Sequence, residues 1–151
     1  MRRISLVVAV LAFAACGPKE EAATDTAATA APPAPALSLG DVAGTWSGRA
    51  TAMDNDSVVV TYEMVASADP TAWTITFPNR PPIPVRPTVD GDSIVTDIGP
   101  YESSLRKGVQ VTTRGVFRLV NGELVGTTVA HYQTKTADSV VTFRNVATKK
   151  M

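Results

Sequence analysis

The chain has 151 residues, with 14 basic and 14 acidic side chains, so its formal net charge is zero. The charges are dispersed, and the sequence contains no basic block of the kind that binds nucleic acid or an anionic membrane surface. A single cysteine excludes an intrachain disulfide, and acylation of that cysteine would also exclude a cysteine nucleophile and a thiolate metal site.

The N-terminus has the pattern of a secretory signal. Arg2 and Arg3 precede an uncharged apolar run, Ile4 to Ala15, that leads into Cys16. The run is too short to span a bilayer, and a basic start, an apolar centre and a small-residue exit are typical of signal peptides. The segment LVVAVLAFAAC resembles the lipobox of bacterial lipoprotein precursors. The resemblance implies lipidation of Cys16 and, because Gly17 is not an aspartate, anchoring in the outer membrane facing the periplasm.

Residues 16–38 are predicted to be a tether. Alanine, threonine and proline dominate this segment, and almost no side chain is large enough to be buried. Such a segment cannot offset the entropy lost on ordering, and its prolines favour extended conformations. We therefore expect a signal peptide at 1–15, a lipidated cysteine with a disordered tether at 16–38, and one folded domain at 39–151.

The domain begins with two strands. The first alternates around Trp46, and the second runs from Val58 to Ala66. A three-residue loop at 54–56 would place Tyr62 opposite Gly48 on one face.

The middle of the domain is interrupted by prolines. A third strand, 73–77, alternates cleanly, but the next ten residues, 78–87, contain five prolines, which predicts an edge strand, a loop or both. Asp90–Gly91 is a hairpin signal, and a two-residue turn there would pair Val85 with Thr96.

The clearest hairpin turns at Asn121–Gly122. This register pairs Phe117 with Gly126, an arrangement in which an aromatic ring can cover a bare backbone. It also places His131, the single histidine, on the outer face, where we interpret it as a surface residue and not as a general base. A last strand, 139–147, completes the pattern.

These segments predict an all-β fold, a single antiparallel meander of seven to eight strands. Closing the sheet removes its edges, which favours a small up-and-down barrel, and a two-sheet β-sandwich is the alternative. Gly44-Thr45-Trp46 on the first strand, with Arg144 on the last, resembles the lipocalin pattern of Gly-x-Trp and a covering arginine. The resemblance implies a ligand-binding barrel in which Trp46 and Arg144 close one end.

The candidate ligand-binding residues come from the inner face and from one loop. The loop, residues 101–108, carries an aromatic ring, hydroxyls and charges, and we interpret it as a lid or polar rim of the barrel or, alternatively, as an ordinary connection. We expect a small cavity near Trp73, with its unfilled volume along the wall of small residues between Thr113 and Ala130. The candidates are Tyr62, Trp73, Arg80, Arg86, Tyr101 and Arg106.

No catalytic, metal-binding or cofactor-binding motif is recognised. The acidic segments 54–57 and 90–93 contain residues that tolerate the backbone of tight turns, and no bidentate glutamate follows at calcium-loop spacing. The sequence predicts a lipid-anchored envelope protein, not an enzyme, whose β-domain binds a small apolar or amphipathic ligand. The alternative is a structural or protein-interaction lipoprotein, with an envelope protein as partner and no ligand cavity.

Overall fold

The computed structural model describes residues 36–135 and 139–151. Within these ranges eight antiparallel strands follow one another around a closed barrel. They are β1 (Gly44–Ala52), β2 (Val58–Ala66), β3 (Thr74–Thr76), β4 (Ile83–Asp90), β5 (Ser93–Glu102), β6 (Gln110–Val120), β7 (Glu123–Tyr132) and β8 (Val140–Lys149). The prediction of an all-β up-and-down barrel is confirmed, and the sandwich alternative is wrong. The proposed signal peptide, Cys16 and nearly all of the proposed tether lie outside the described residues.

Two of the predicted strand registers are confirmed. Tyr62 lies opposite Gly48 in the β1–β2 pair. In the β6–β7 pair Phe117 lies opposite Gly126, and the turn residues Asn121 and Gly122 have φ values of 52° and 84°. Positive φ at both central residues is the requirement of a type I′ turn, whose twist matches that of the flanking strands.

The predicted register of the β4–β5 hairpin is wrong by two residues. Val85 lies opposite Ile98 and not opposite Thr96, because the turn has Gly91 and Asp92 at its centre. Gly91 has a φ of 60° and takes the first central position, where a type II′ turn accepts glycine. A shift of two residues keeps the same side chains facing inward, so the alternation of apolar residues could not distinguish the two registers.

The proline-rich segment forms a strand that is weakly paired on one side. β4 pairs with β5 from Val85 to Asp90, but it pairs with β3 only through Pro84 and Ile83. A further backbone hydrogen bond, from the Val85 N–H to the Trp73 carbonyl, measures 3.0 Å. The barrel is therefore closed at this point by few hydrogen bonds, as the prolines require.

One end of the barrel is filled by two tryptophans. Trp46 and Trp73 are 1% and 0% exposed, and they belong to one apolar cluster with Val42. The indole N–H of Trp46 donates to the Val42 carbonyl at 2.8 Å, and that of Trp73 donates to the Ser67 carbonyl at 2.6 Å. Each ring is therefore buried with its one polar group hydrogen-bonded. We call this part of the interior the closed end.

The cation over Trp46 is Lys149 and not Arg144. The Lys149 ammonium lies 5.7 Å from the centre of the Trp46 ring. Lys149 pairs with Trp46 across β1 and β8, whereas Arg144 pairs with Thr51. Arg144 contacts the carboxylate of Asp56 at 3.2 Å instead, so the proposed Trp46–Arg144 pair does not form.

Candidate ligand cavity

The other half of the barrel interior contains a partly open cavity of about 70 Å³. This is the volume open to the centre of a water-sized sphere, and about one-fifth of it is enough for a single water molecule. Of its twenty lining residues, eleven are apolar, eight carry a hydroxyl and one carries an amide. The residues are Ala50, Val60, Tyr62, Met64, Ile75, Phe77, Thr96, Ile98, Tyr101, Ser103, Ser104, Leu105, Val111, Thr113, Phe117, Thr128, Ala130, Tyr132, Phe143 and Asn145.

The cavity lies against the wall of small side chains expected from the sequence. Thr113 on β6 and Thr128 and Ala130 on β7 all line it, so short side chains leave the volume unfilled. The expectation that the cavity would lie near Trp73 is wrong, because that ring is buried at the closed end. The aromatic rings that border the cavity include Tyr62 and Phe77, which meet edge to face at 6.5 Å.

Phe117 covers a different glycine from the one expected. A Cβ on Gly115 would lie 2.4 Å from an edge carbon of the Phe117 ring, whereas a Cβ on Gly126 would meet the backbone oxygen of Val116 at 1.9 Å. The ring therefore lies over its neighbour on the same strand, and Gly126 permits a close approach of two backbones. Both glycines exclude a side chain from this wall.

Tyr101 enters the cavity because of an irregularity in β5. On β6, Thr113 and Val111 are two residues apart. Their partners on β5, Ile98 and Tyr101, are three residues apart. One extra residue reverses the alternation of side chains, so Tyr101 turns inward where regular pairing would turn it outward. The Tyr101 ring stacks on Phe77 at a centroid distance of 5.7 Å. Burial raises the pKa of its hydroxyl, which hydrogen-bonds to Thr113.

The β5–β6 loop, residues 103–109, contributes to the mouth of the cavity. Ser103, Ser104 and Leu105 line the cavity, and Ser103 is only 2% exposed. The Ser103 hydroxyl oxygen accepts hydrogen bonds from the backbone N–H groups of Leu105 and Arg106, both at 3.0 Å. The loop is thus held in a compact turn by one buried serine.

Arg80 connects this loop to the segment between β3 and β4. Its guanidinium donates to the backbone carbonyls of Glu102 and Ser103 at 2.5 and 3.1 Å. The Glu102 carboxylate lies 4.0 Å from the same guanidinium and accepts a hydrogen bond from the Gly108 N–H at 3.1 Å. Arg80 therefore acts on the start of the loop through charge-assisted hydrogen bonds, which are stronger than neutral ones.

A second arginine lies against an aromatic ring of the cavity wall. The guanidinium carbon of Arg106 is 4.1 Å from the centre of the Tyr132 ring. This distance is within the range of a favourable cation–π contact. Because Tyr132 lines the cavity, the contact joins the loop to the β7 side of the mouth.

The Tyr62 hydroxyl is the anomalous polar group of the cavity wall. The side chain is 8% exposed, and its hydroxyl has no hydrogen-bond partner within the described part of the chain. The outer edge of the ring crosses Gly48, where a Cβ would lie 2.6 Å from the hydroxyl oxygen. Burial raises the pKa of this hydroxyl, so at neutral pH it is a protonated hydrogen-bond donor.

Asn145 is a buried polar residue that sequence analysis missed. It is 3% exposed, lines the cavity, and donates from its amide to the Thr128 hydroxyl at 3.0 Å. Its position two residues after Phe143 was the available signal, because alternation along the last strand places both side chains inward. A polar residue on an inward face marks a functional candidate.

The six candidate residues fall into three groups. Tyr62 and Tyr101 line the cavity. Arg80 and Arg106 lie at its mouth, in contact with the loop or with the wall. Trp73 lies at the closed end, and Arg86 lies on the exposed outer face of β4 opposite Asp97, so neither is brought to the cavity.

The comparisons with known proteins add no relative. No protein-family model, curated protein or solved structure matches this chain at a significant level. Among residues 36–135 and 139–151, no helix is long and apolar enough to cross a membrane. Any statement about function therefore depends on the residues of this chain.

Proposed function

We propose that the barrel binds one small, largely apolar molecule, and that the chain is a lipid-anchored protein of the bacterial envelope. The observation that carries the binding proposal is the cavity of about 70 Å³ that is bounded by the barrel wall and, at its mouth, by the β5–β6 loop. Small-molecule sites are typically concave and apolar, with a few placed polar groups. The lining of this cavity has that chemistry.

The size of the cavity restricts the ligand. A dry apolar cavity of about 150 Å³ in another protein accepts benzene, and the volume here is about half as large. A molecule of the size of benzene therefore fits only if the cavity widens, and a longer amphipathic molecule requires the loop at 103–109 to move outward. The arginines at the mouth, Arg80 and Arg106, would then lie beside a polar end of that molecule.

Binding can be tested by protein-detected NMR on the full chain with benzene as the probe. We expect saturable shifts of the Ala50 and Ala130 methyl resonances, which report on the cavity, and little change at the Trp46 and Trp73 indoles. The tryptophan signals are the internal control, because they report on the closed end. Absence of any saturable shift up to millimolar benzene would contradict the binding proposal.

The envelope location is proposed from the N-terminal sequence alone. The basic start, the apolar run and Cys16 support it. Metabolic labelling with a fatty acid, followed by mass spectrometry of the mature N-terminus, would detect an acylated Cys16. An unmodified cysteine or a retained signal segment would contradict the lipid anchor without affecting the cavity.

The interaction-protein alternative receives less support from the surface. A partner would be favoured if outward valines formed one patch. Instead Val65 lies on β2, and Val116 and Val125 lie on β6 and β7. Between these groups β1 and β8 present the exposed arginines Arg49 and Arg144.

A further inference from the structure

The barrel wall has a gap beside the cavity, between β2 and the segment that follows β3. On one side β2 pairs with β1 from Val58 to Ala66, with one irregularity. On its other side β2 pairs with β3 only from Glu63 to Val65. Within the described residues, positions 58–62 of β2 therefore have no strand partner on this second side.

The sequence after β3 explains the gap. If β3 continued in the same register, Pro78 would lie opposite Thr61, and a proline has no N–H to donate to the neighbouring strand. The chain turns instead. Asn79 has a φ of 59°, and the Arg80 N–H donates to the Phe77 carbonyl at 3.1 Å. The segment therefore does not extend the ladder along β2.

A groove of about 380 Å³ lies beside this gap. It is bounded by β2, by the segment after β3 and by the β5–β6 loop, and its lining consists of Val58, Val59, Val60, Thr61, Pro78, Arg80, Ser104 and Leu105. Five of these eight residues are apolar. Two of them, Val58 and Leu105, are 52% and 43% exposed. Exposed apolar side chains grouped in a groove are typical of a binding surface.

The groove and the cavity are neighbours. Val60, Ser104 and Leu105 line both of them. Because β2 has no strand partner at Val60 on this side, side chains and not a hydrogen-bonded strand separate the two spaces. An exposed side chain such as that of Leu105 changes rotamer within nanoseconds. A passage between the cavity and the groove can therefore form without breaking the sheet.

We propose that the groove is a second subsite that continues the cavity, and that the preferred ligand is a chain-like amphipathic molecule longer than the cavity. Its apolar end lies in the cavity, its middle passes beside Val60 and Leu105, and its polar end lies in the open groove, where it stays hydrated. The ligand covers Val58 and Leu105, which are otherwise exposed to water. This inference rests on the proposed function, since it adds a length and a shape to the ligand of the same cavity.

The experiment compares 1-butanol, 1-hexanol and 1-octanol on the full chain by NMR titration of methyl resonances. The three alcohols share one polar group and differ in chain length. A half-covered methylene group raises affinity about twofold, so we expect the affinity to rise about fourfold from butanol to hexanol and about fourfold again to octanol. Octanol and not butanol should shift the methyl resonances of Val58, which lines the groove and not the cavity. Both alcohols should shift the methyl resonance of Ala130, which lines the cavity.

Val58→Asp tests the groove directly. It should weaken octanol binding about fourfold, the contribution of two half-covered methylene groups, and leave butanol binding within about twofold. Val140→Asp is the matched control, because Val58 and Val140 are the first residues of their strands and are 52% and 53% exposed. Val140 lines neither the cavity nor the groove. The alcohols are uncharged, so the control should bind octanol as tightly as the unchanged protein.

The outcomes separate this inference from the proposed function. If affinity stops rising beyond butanol, the ligand is confined to the cavity and the groove is not a subsite, while the cavity still binds small molecules. If Val140→Asp weakens octanol binding as much as Val58→Asp, or if Val58→Asp weakens butanol and octanol binding equally, the groove inference is also wrong. If none of the alcohols binds, the groove inference is overturned, and the benzene titration decides the proposed function separately.

Discussion

The closed end and the cavity end of this barrel are built on the same eight strands but are packed in opposite ways. At the closed end Trp46 and Trp73 fill the interior, and each indole N–H donates to a backbone carbonyl. At the cavity end Ala50 and Ala130 leave space, and the Tyr62 hydroxyl has no partner among residues 36–135 and 139–151. The closed end is filled and its buried polar groups are hydrogen-bonded, whereas the cavity end is incompletely filled and has an unpaired buried hydroxyl.

This difference shows which part of the small fold is well packed and which part leaves space for the ligand that we propose. A barrel of this size can be filled by side chains or can hold one small ligand. Departures from good packing are expected mainly at functional sites, and the remaining structure must supply the stability. The closed end is therefore the part that stabilises the fold, and the cavity end is the part at which we propose that a ligand binds.

The largest expected effect is the loss of a large side chain at the closed end. Trp46→Ala should lower the free energy of unfolding by about 3–5 kcal/mol, because it leaves a cavity in a packed core. Phe143→Ala, at the half-buried edge of the existing cavity, should lower it by less than about 2 kcal/mol. Urea unfolding measures both values. Equal losses in the two variants would show that the two ends do not differ in packing.

Enlarging one alanine at each end of the barrel should change the free energy of unfolding in opposite directions. Ala130→Val adds two methyl groups beside empty volume and should raise the free energy of unfolding by about 1 kcal/mol, while weakening benzene binding. Ala147→Val adds them where the residue is 0% exposed and should lower stability by about 1–3 kcal/mol through overpacking. Thermal and urea unfolding decide the signs. A destabilised Ala130→Val with unchanged benzene binding would contradict the cavity.

The pH dependence of stability should reveal the buried tyrosines. Burial raises the pKa values of Tyr62 and Tyr101, so above about pH 10 the unfolded chain loses phenol protons that the folded chain keeps. The free energy of unfolding then falls as pH rises, by about 1.4 kcal/mol per pH unit for each such tyrosine. Tyr62→Phe should reduce this slope by the contribution of one tyrosine.

At neutral pH the same Tyr62→Phe variant should be more stable by about 1 kcal/mol, because it removes a buried hydroxyl that lacks a partner in the described chain. Urea unfolding between pH 7 and pH 11 measures both effects. A variant that is less stable at pH 7, with an unchanged alkaline slope, would show that the hydroxyl is satisfied in the fold.

The hairpins show how much of this fold could be predicted from the sequence. The Asn121–Gly122 register was predictable because the turn needs positive φ at two residues, and few residue types accept it. The Gly91–Asp92 turn could not be predicted, because a shift of the register by two residues leaves the same side chains facing inward. Strand order and wall composition were also predictable, since both follow from short connections and alternation.

The candidate site was predictable only in part. Tyr62 and the wall of small residues follow from regular alternation. Tyr101 faces inward only because β5 contains an extra residue before it, and alternation alone assigns its direction incorrectly. The cation over Trp46 was assigned to Arg144, but the β1–β8 register brings Lys149 there. Contacts between strands that are far apart in the sequence depend on the register of their pairing. The residue pattern within one strand does not reveal that register.

The smallest expected effect concerns the loop that covers the cavity end. Arg80 donates to two carbonyls at the start of this loop, so its removal should loosen the loop without disturbing the strands. Arg80→Ala should lower the free energy of unfolding by only about 0.5–1 kcal/mol, because the arginine is partly exposed to solvent. The equilibrium for loop opening should shift by a similar amount, which corresponds to roughly twofold to fivefold.

Hydrogen exchange of the loop amides measures this shift directly. The N–H groups of Leu105 and Arg106, which donate to the Ser103 hydroxyl, should exchange roughly twofold to fivefold faster in Arg80→Ala. Benzene should also associate faster, because the loop opens more often above the cavity. Arg86→Ala is the matched control, since that side chain lies on the outer face of β4 and should change neither quantity. If Arg80→Ala leaves loop exchange and association unchanged, or if Arg86→Ala alters them equally, then Arg80 does not control access and the cavity end opens by another route.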